Sequence, residues 1–211
     1  MKKFIKIISL VLALTFVFCA CGSETEDMTT SPAGETTSSD AESSNPLVKF
    51  TMENGGSFIV ELYPEYAPAT VDNFVTLVSE GFYDGLTFHR VVENFMAQGG
   101  DPDGTGSGGS SRRIKGEFIN NGFTQNTLSH TRGVISMARS SNPNSASSQF
   151  FICYGDATFL DGDYAAFGMV TQGMEVVDSF LEIERTMGGD GALSSPVEPI
   201  VIEKAEVVEV A

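Results

Sequence analysis

Hydrophobic and polar positions organise the chain from residue 47 onward. Segments 47–52 and 57–63 alternate or run apolar on either side of Asn54-Gly55-Gly56, which predicts a hairpin. Segment 68–80 carries Val71, Phe74, Val75 and Val78 at helical spacing. Pro68 suits its first turn and Gly81 its stop. Short apolar runs then recur between Gly-rich turns, at 87–92, 95–98, 134–138, 149–153 and 165–170. A second short helix fits 174–183 and a last strand fits 199–210. Many short strands with two helices predict a mainly β domain, a closed barrel whose ends the helices cover.

The first residues follow another pattern. Lys2, Lys3 and Lys6 lead into an apolar run over 7–18, broken only by Ser9 and Thr15. Twelve residues are short for a membrane span and suit the apolar region of a signal peptide. Phe18-Cys19-Ala20-Cys21-Gly22 follows, and resembles the end of a bacterial lipoprotein signal. Cys21 is then the lipidation candidate, because small Ala20 precedes it, whereas Phe18 precedes Cys19. The alternative is an ordinary secretory signal cut nearby, which leaves Cys21 as a stray thiol. Residues 22–45 hold eleven Ser/Thr, six acidic residues and no basic ones. Burial in so polar a segment cannot offset the entropy of ordering it. The expected organisation is a signal over 1–20, a lipidated Cys21 with a disordered tether to 45, and one domain over 46–211.

Composition narrows the function. Of 211 residues, 12 are Lys or Arg and 28 Asp or Glu, a net charge of −16. That balance argues against nucleic acid, whose phosphates need clustered cations, and against a basic membrane-surface module. Three cysteines make no disulfide scaffold and none has metal-ligand spacing. Cys153 lies in an apolar run and reads as core.

Common catalytic signatures are missing. There is no G-x-S-x-G serine and no H-E-x-x-H. Gly104-Thr105-Gly106-Ser107-Gly108-Gly109 has dinucleotide-loop spacing, but Ser110-Ser111-Arg112-Arg113 follows it where a helix would have to start. Asp101-Pro102-Asp103-Gly104 reads as a tight turn, since the later ligands of a calcium loop are lacking.

Two stretches stand out, FHRVVENFMAQGGD at 88–101 and HTRGVISMARSSNPNSASSQFFICYGDATFLDGDYAAFG at 130–168. Each sets a few hydrogen-bonding side chains among large apolar ones: Arg90 by Phe88 and Val91, Gln98 after Phe95 and Met96, Gln149 before Phe150 and Phe151. With EGFYDGLTFHRVV, FMAQGGD, SQFFI and LDG…AFG in that order, the chain resembles the cyclophilin family of peptidyl-prolyl cis-trans isomerases from about 48 to 170. The resemblance implies an eight-stranded closed antiparallel barrel capped by two helices. It implies rotation about X-Pro bonds in unfolded or flexible protein segments, with no cofactor and no metal. It assigns Arg90 as the catalytic guanidinium. It assigns Phe95, Met96, Phe151, Phe159, Leu160 and Tyr164 to the substrate pocket, Gln98, Ala138 and Arg139 to holding substrate backbone, and Gln149 to substrate binding beside them.

The departures from the family pattern carry expectations of their own. Phe159 stands where many members carry Trp, so an indole N–H is lost and only weak cyclosporin binding is expected. Tyr164 stands where many carry His, and Arg139 replaces a common Asn, adding a charge that would favour acidic substrates. His89, beside Arg90, is expected to point away from substrate. Together these features predict an isomerase anchored outside the cytoplasm by lipid and assisting protein folding. The alternative is a binding or holding module on the same fold.

Overall fold

The computed structural model describes residues 45–209. Cys21, the signal segment and the tether up to residue 44 lie outside the described residues. In the hairpin of β1 (Leu47–Met52) and β2 (Ser57–Leu62), buried and half-buried positions alternate strictly. Val48, Phe50 and Met52 thus enter the core with Phe58, Val60 and Leu62. The turn between them needs Gly55, whose φ is 86°, and is tied by the Gly56 N–H donating to Asn54 Oδ1 at 3.0 Å.

Helix α1 (Pro68–Ser79) buries Val71, Phe74, Leu77 and Val78. No side chain caps it from the preceding residue. Its first-turn amides go instead to Glu117, whose carboxylate accepts the N–H groups of Ala69 (3.0 Å) and Thr70 (2.8 Å) and the Thr70 hydroxyl (2.7 Å). A buried carboxylate is favoured there by the unpaired donors and the positive end of the helix.

The remaining strands are β3 (Thr87–Val92), β4 (Met96–Asp101), β5 (Val134–Met137), β6 (Phe150–Cys153), β7 (Ala166–Gln172), β8 (Arg185–Met187), β9 (Leu193–Pro196) and β10 (Ile202–Val208). Helix α2 (Met174–Ser179) runs into a 3-10 turn at Phe180–Glu182. Eight strands form one antiparallel sheet in the order β10-β1-β2-β7-β5-β6-β4-β3, which the two helices cover. The strands β8 and β9 pair separately as a hairpin that the hydrophobic pattern did not predict. Its outward Met187 and Leu193 leave no core-facing alternation to read.

The expected closed barrel is corrected. The sheet has two ends, β10 and β3, and no ladder joins them. Between them lie an isolated bridge from Thr87 to Val201 and a few single bonds, such as Phe88 N–H to the Ile200 carbonyl at 3.0 Å. Pro196 and Pro199 supply no N–H where a closing ladder would run, and a bulge at Thr87/Phe88 breaks the β3 edge.

Two hydrophobic clusters result. The larger fills one face of the sheet, with Phe50, Phe74, Phe88, Phe150 and Phe167 in mutual contact. The smaller lies on the other face of β4 and β6. It contains Met96, Phe151, Cys153, Ala157 and Leu160, with Val92, Phe95, Ala138 and Tyr164 packed against it. Strand β6 feeds both, Phe150 and Ile152 one way and Phe151 and Cys153 the other. Burial pushes the Cys153 thiol up to about 12, as suits an inert core cysteine.

Candidate active site

Strand register builds the site. Arg90 on β3 pairs with Gln98 on β4, Gln98 pairs with Phe151 on β6, and Phe151 pairs with Ser136 on β5. A second β3 bulge, between Phe88 and Arg90, lets Phe88 and Val91 both enter the main core. Arg90 is thereby turned to the face of the smaller cluster.

There Arg90, Phe95, Met96, Gln98, Ala138, Arg139, Phe151, Leu160 and Tyr164 line a pocket of about 200 Å³. Six of the nine lining side chains are apolar or aromatic, and the Arg90 guanidinium stands at one side, its Cζ 5.8 Å from the Phe95 ring centroid. Arg90 Nε–H donates to Asp190 at 2.6 Å and Nη1 to Gln98 Oε1 at 3.4 Å. Among the described residues Nη2 makes no hydrogen bond. Gln98 Nε2–H donates to Gln149 Oε1 at 2.8 Å, and Gln149 Nε2–H to the Gly108 carbonyl at 2.8 Å. The polar groups form a chain that fixes each amide's orientation.

A second pocket of about 430 Å³ adjoins the first and shares Gln98, Ala138 and Arg139 with it. Gln149 lines this pocket and not the apolar one. One wall is the loop after β4, held by Asp101, whose carboxylate accepts the backbone N–H groups of Asp103, Thr105, Gly106 and Gly108 at 2.6–3.2 Å. Burial would raise the Asp101 pKa, but those donors outweigh it and leave it lowered. The loop closes on Gly100, at φ 80°, where any side chain would meet the Ser148 carbonyl.

Ten of the eleven residues assigned from sequence within 45–209 line these two pockets, and the eleventh is at the rim. Counting by place, Phe159 is the rim residue: it is 71% exposed and its ring lies 5.6 Å from that of Phe95. His89 lines neither pocket; burial lowers its pKa, with Asp101 opposing and Arg90 adding to the shift.

Sequence reasoning missed the support beneath the pocket. The His130 ring stacks on Phe151 at 6.0 Å and 16°. Its Nδ1 lies 2.8 Å from Asp161 Oδ1 and its Nε2 2.9 Å from Ser136 Oγ. A neutral ring protonated at Nδ1 satisfies both: it donates to Asp161 and accepts the serine O–H. Burial lowers the His130 pKa, with Asp161 opposing. Ser136 is fully buried, so the trio sets the angle of Phe151 and offers no exposed nucleophile.

The family model described as cyclophilin type peptidyl-prolyl cis-trans isomerase/CLD matches residues 47–207. The chain belongs to the cyclophilin family. It is 44% identical over 166 residues to the peptidyl-prolyl cis-trans isomerase-like 1 of Gibberella zeae, covering 78% of this chain and 95% of that one. It is 48% identical over 126 residues to peptidyl-prolyl cis-trans isomerase B of Bacillus subtilis, covering 60% and 84%. A crystal structure of a Cryptosporidium parvum cyclophilin type isomerase, in the presence of the dipeptide Ala-Pro, superposes with a TM-score of 0.68 at 30% identity. That match covers 78% of this chain and 99% of the other. This cyclophilin is a peptidyl-prolyl cis-trans isomerase acting on proline-containing substrates.

Proposed function

We propose that Arg90 drives the isomerisation, that the 200 Å³ pocket holds the proline ring, and that the enzyme works outside the cytoplasm on a lipid anchor. The observation that carries the catalytic reading is a guanidinium with an unengaged Nη2 at the wall of an apolar pocket.

The uncatalysed rotation takes tens to hundreds of seconds. Bringing it to milliseconds needs about 10⁴-fold or more, roughly 5–7 kcal/mol off the barrier. No bond breaks and no proton has to move. The barrier is amide resonance, which twisting removes. The twisted nitrogen regains its lone pair and accepts a hydrogen bond that the planar amide nitrogen cannot. A fixed N–H donor from Arg90 therefore binds the twisted state more strongly than either planar isomer, which is differential binding by a preorganised dipole. Phe95, Met96, Phe151, Leu160 and Tyr164 would hold the ring while the preceding carbonyl turns. Gln98 and Gln149, and the backbone at Ala138 and Arg139, would hold the chain on either side.

The anchored, extracytoplasmic role rests on the Lys-rich start, the twelve-residue apolar run, Ala20-Cys21 and the Ser/Thr/acidic segment behind them. More than one acyl chain at Cys21 gives stable membrane attachment where one would not. Clients would be secreted or surface proteins still flexible as they emerge. Cyclosporin binds weakly in this reading.

Two measurements test it. The purified full chain should accelerate isomerisation of an Ala-Pro-Phe peptide, and Arg90→Ala should slow it at least tenfold without loss of fold. In a bacterial host the wild-type chain should fractionate with membranes and incorporate labelled palmitate, and Cys21→Ala should do neither. A soluble, unlabelled wild-type chain would remove the anchor and leave the enzyme reading standing.

A further inference from the structure

The β8–β9 hairpin brings a carboxylate to the active-site arginine. Its tip, Gly188–Ala192, is tied by the Gly188 N–H donating to the Ala192 carbonyl at 2.8 Å. Its base is tied by the Val197 N–H to the Glu184 carbonyl at 2.8 Å and by Arg185 Nη1–H to the Leu181 carbonyl at 2.9 Å. Asp190 sits at the tip. Its Oδ1 accepts the Ala192 N–H at 3.0 Å and the hydroxyl of buried Ser194 at 2.8 Å. Its Oδ2 accepts Arg90 Nε–H at 2.6 Å.

We infer that Asp190 is a positioning residue, which holds Arg90 by Nε so that Nη2 is presented to the substrate nitrogen. This rests on the reading of Arg90 above. Two features distinguish positioning from blocking. With Oδ1 occupied by Ser194 and Ala192, the carboxylate engages the guanidinium by one oxygen only and takes none of the Nη hydrogens. The other side-chain oxygen contact, Nη1 to Gln98, falls on a different nitrogen, so Nε and Nη1 are engaged and Nη2 is left. A long side chain held in one rotamer before substrate arrives loses its freedom on folding and not during catalysis. The Arg90 guanidinium in turn holds the Asp190 carboxyl down at about 2, so the contact keeps its charge throughout the working range.

The test is a set of variants of the full chain, with kcat and KM measured on the Ala-Pro-Phe peptide and folding checked by circular dichroism and melting. Asp190→Ala should lower kcat at least threefold with KM changed less than twofold. Asp190→Asn should recover most of that loss, because an amide oxygen still accepts the Nε–H. Ser194→Ala, which frees one side of the carboxylate, should give a smaller loss in the same direction. In an Arg90→Ala background, Asp190→Ala should do nothing further. An Asp190→Ala enzyme as fast as wild type, or faster, overturns the inference. So does an Asp190→Asn enzyme no better than Asp190→Ala, or a loss that persists undiminished without Arg90. If Arg90→Ala alone is fully active, the underlying reading of Arg90 falls and this inference with it. A slow Arg90→Ala beside an unaffected Asp190→Ala sinks the inference alone.

Discussion

The Arg139 guanidinium lies over the Tyr164 ring, its Cζ 4.5 Å from the ring centroid, with the Phe118 ring at 5.2 Å. Its Nε–H donates to the Asp163 carbonyl at 2.9 Å and its Nη1 to the Ser140 carbonyl at 2.9 Å. Two separate departures from the family's sequence pattern are thus one contact across the pocket rim. A cation–π pair at a half-buried, solvent-reached rim contributes about 0.5–1 kcal/mol. Tyr164→Ala should therefore lower kcat/KM about two- to fivefold, partly by releasing Arg139. A double-mutant cycle with Arg139→Ala should return a coupling of about 0.5–1 kcal/mol. Additive losses would show that the two side chains act independently.

The second pocket predicts substrate choice. Arg113 and Arg139 line it, and no Asp or Glu does. A glutamate shortly before the proline should gain an exposed ion pair, worth about 0.2–1 kcal/mol, or up to about fivefold in kcat/KM over alanine. The preference should fade in 0.5 M salt and shrink in Arg113→Ala. A peptide with lysine there that turns over as fast as the glutamate peptide would refute it.

Arg90 should not be replaceable by lysine. The three polar contacts around it match a planar fork, with Nε to Asp190 and Nη1 to Gln98 and Met96 Sδ. An ammonium offers one nitrogen and cannot hold these while pointing another donor into the pocket. Arg90→Lys should fall within about threefold of Arg90→Ala, that is, at least about threefold, or about 0.7 kcal/mol, below wild type. Recovery to near wild-type rates would mean that charge alone suffices.

Phe159 bears on cyclosporin. Its ring is exposed beside Phe95, outside the pocket lining, where it offers area but no N–H. Phe159→Trp should tighten cyclosporin binding at least fivefold, about one added hydrogen bond, in a titration of inhibition. Unchanged affinity would show that an indole N–H at this position does not set cyclosporin affinity.

What was legible in sequence follows physical range. Strict alternation in β1 and β2, and helical spacing in α1, are local and matched the observed elements. Sheet closure is a long-range property; of the prolines at 196 and 199, the first fell outside every expected element and the second stood only as the start of a last strand. Glu117 caps a helix that begins 49 residues earlier in sequence, and no short motif encodes that. The pocket residues came from the order of family motifs; their meeting on one face depends on the β3 bulge and on β4–β6 register, neither visible in the pattern. Asp190 escaped because its hairpin, TMGGDGALSSP, presents no apolar period, although a carboxylate flanked by glycines is a frequent turn-tip signal.

Stability should depend on pH through the two histidines. His89 and His130 both have pKa values lowered from 6.5 by burial, so both are neutral in the fold at neutral pH. The unfolded chain takes up these protons as pH falls through about 6.5, and the folded chain does so only at lower pH. The stability they contribute is therefore complete above about 6.5 and declines as pH drops toward the folded values. Asp101, Asp161 and Asp190 have lowered pKa values, and their contributions persist until pH falls below the ordinary carboxylate value of 3.8. The interval from pH 7.5 to 5 thus isolates the histidines. The urea midpoint should hold steady from pH 8.5 to 7 and decline as pH falls below 6.5, while by NMR the folded His130 ring takes up its proton only below the ordinary value of 6.5. Over pH 6–9 kcat/KM should vary less than twofold, because no proton moves in the reaction. A bell-shaped rate profile, or a urea midpoint flat to pH 5, would contradict this account of the site and its support.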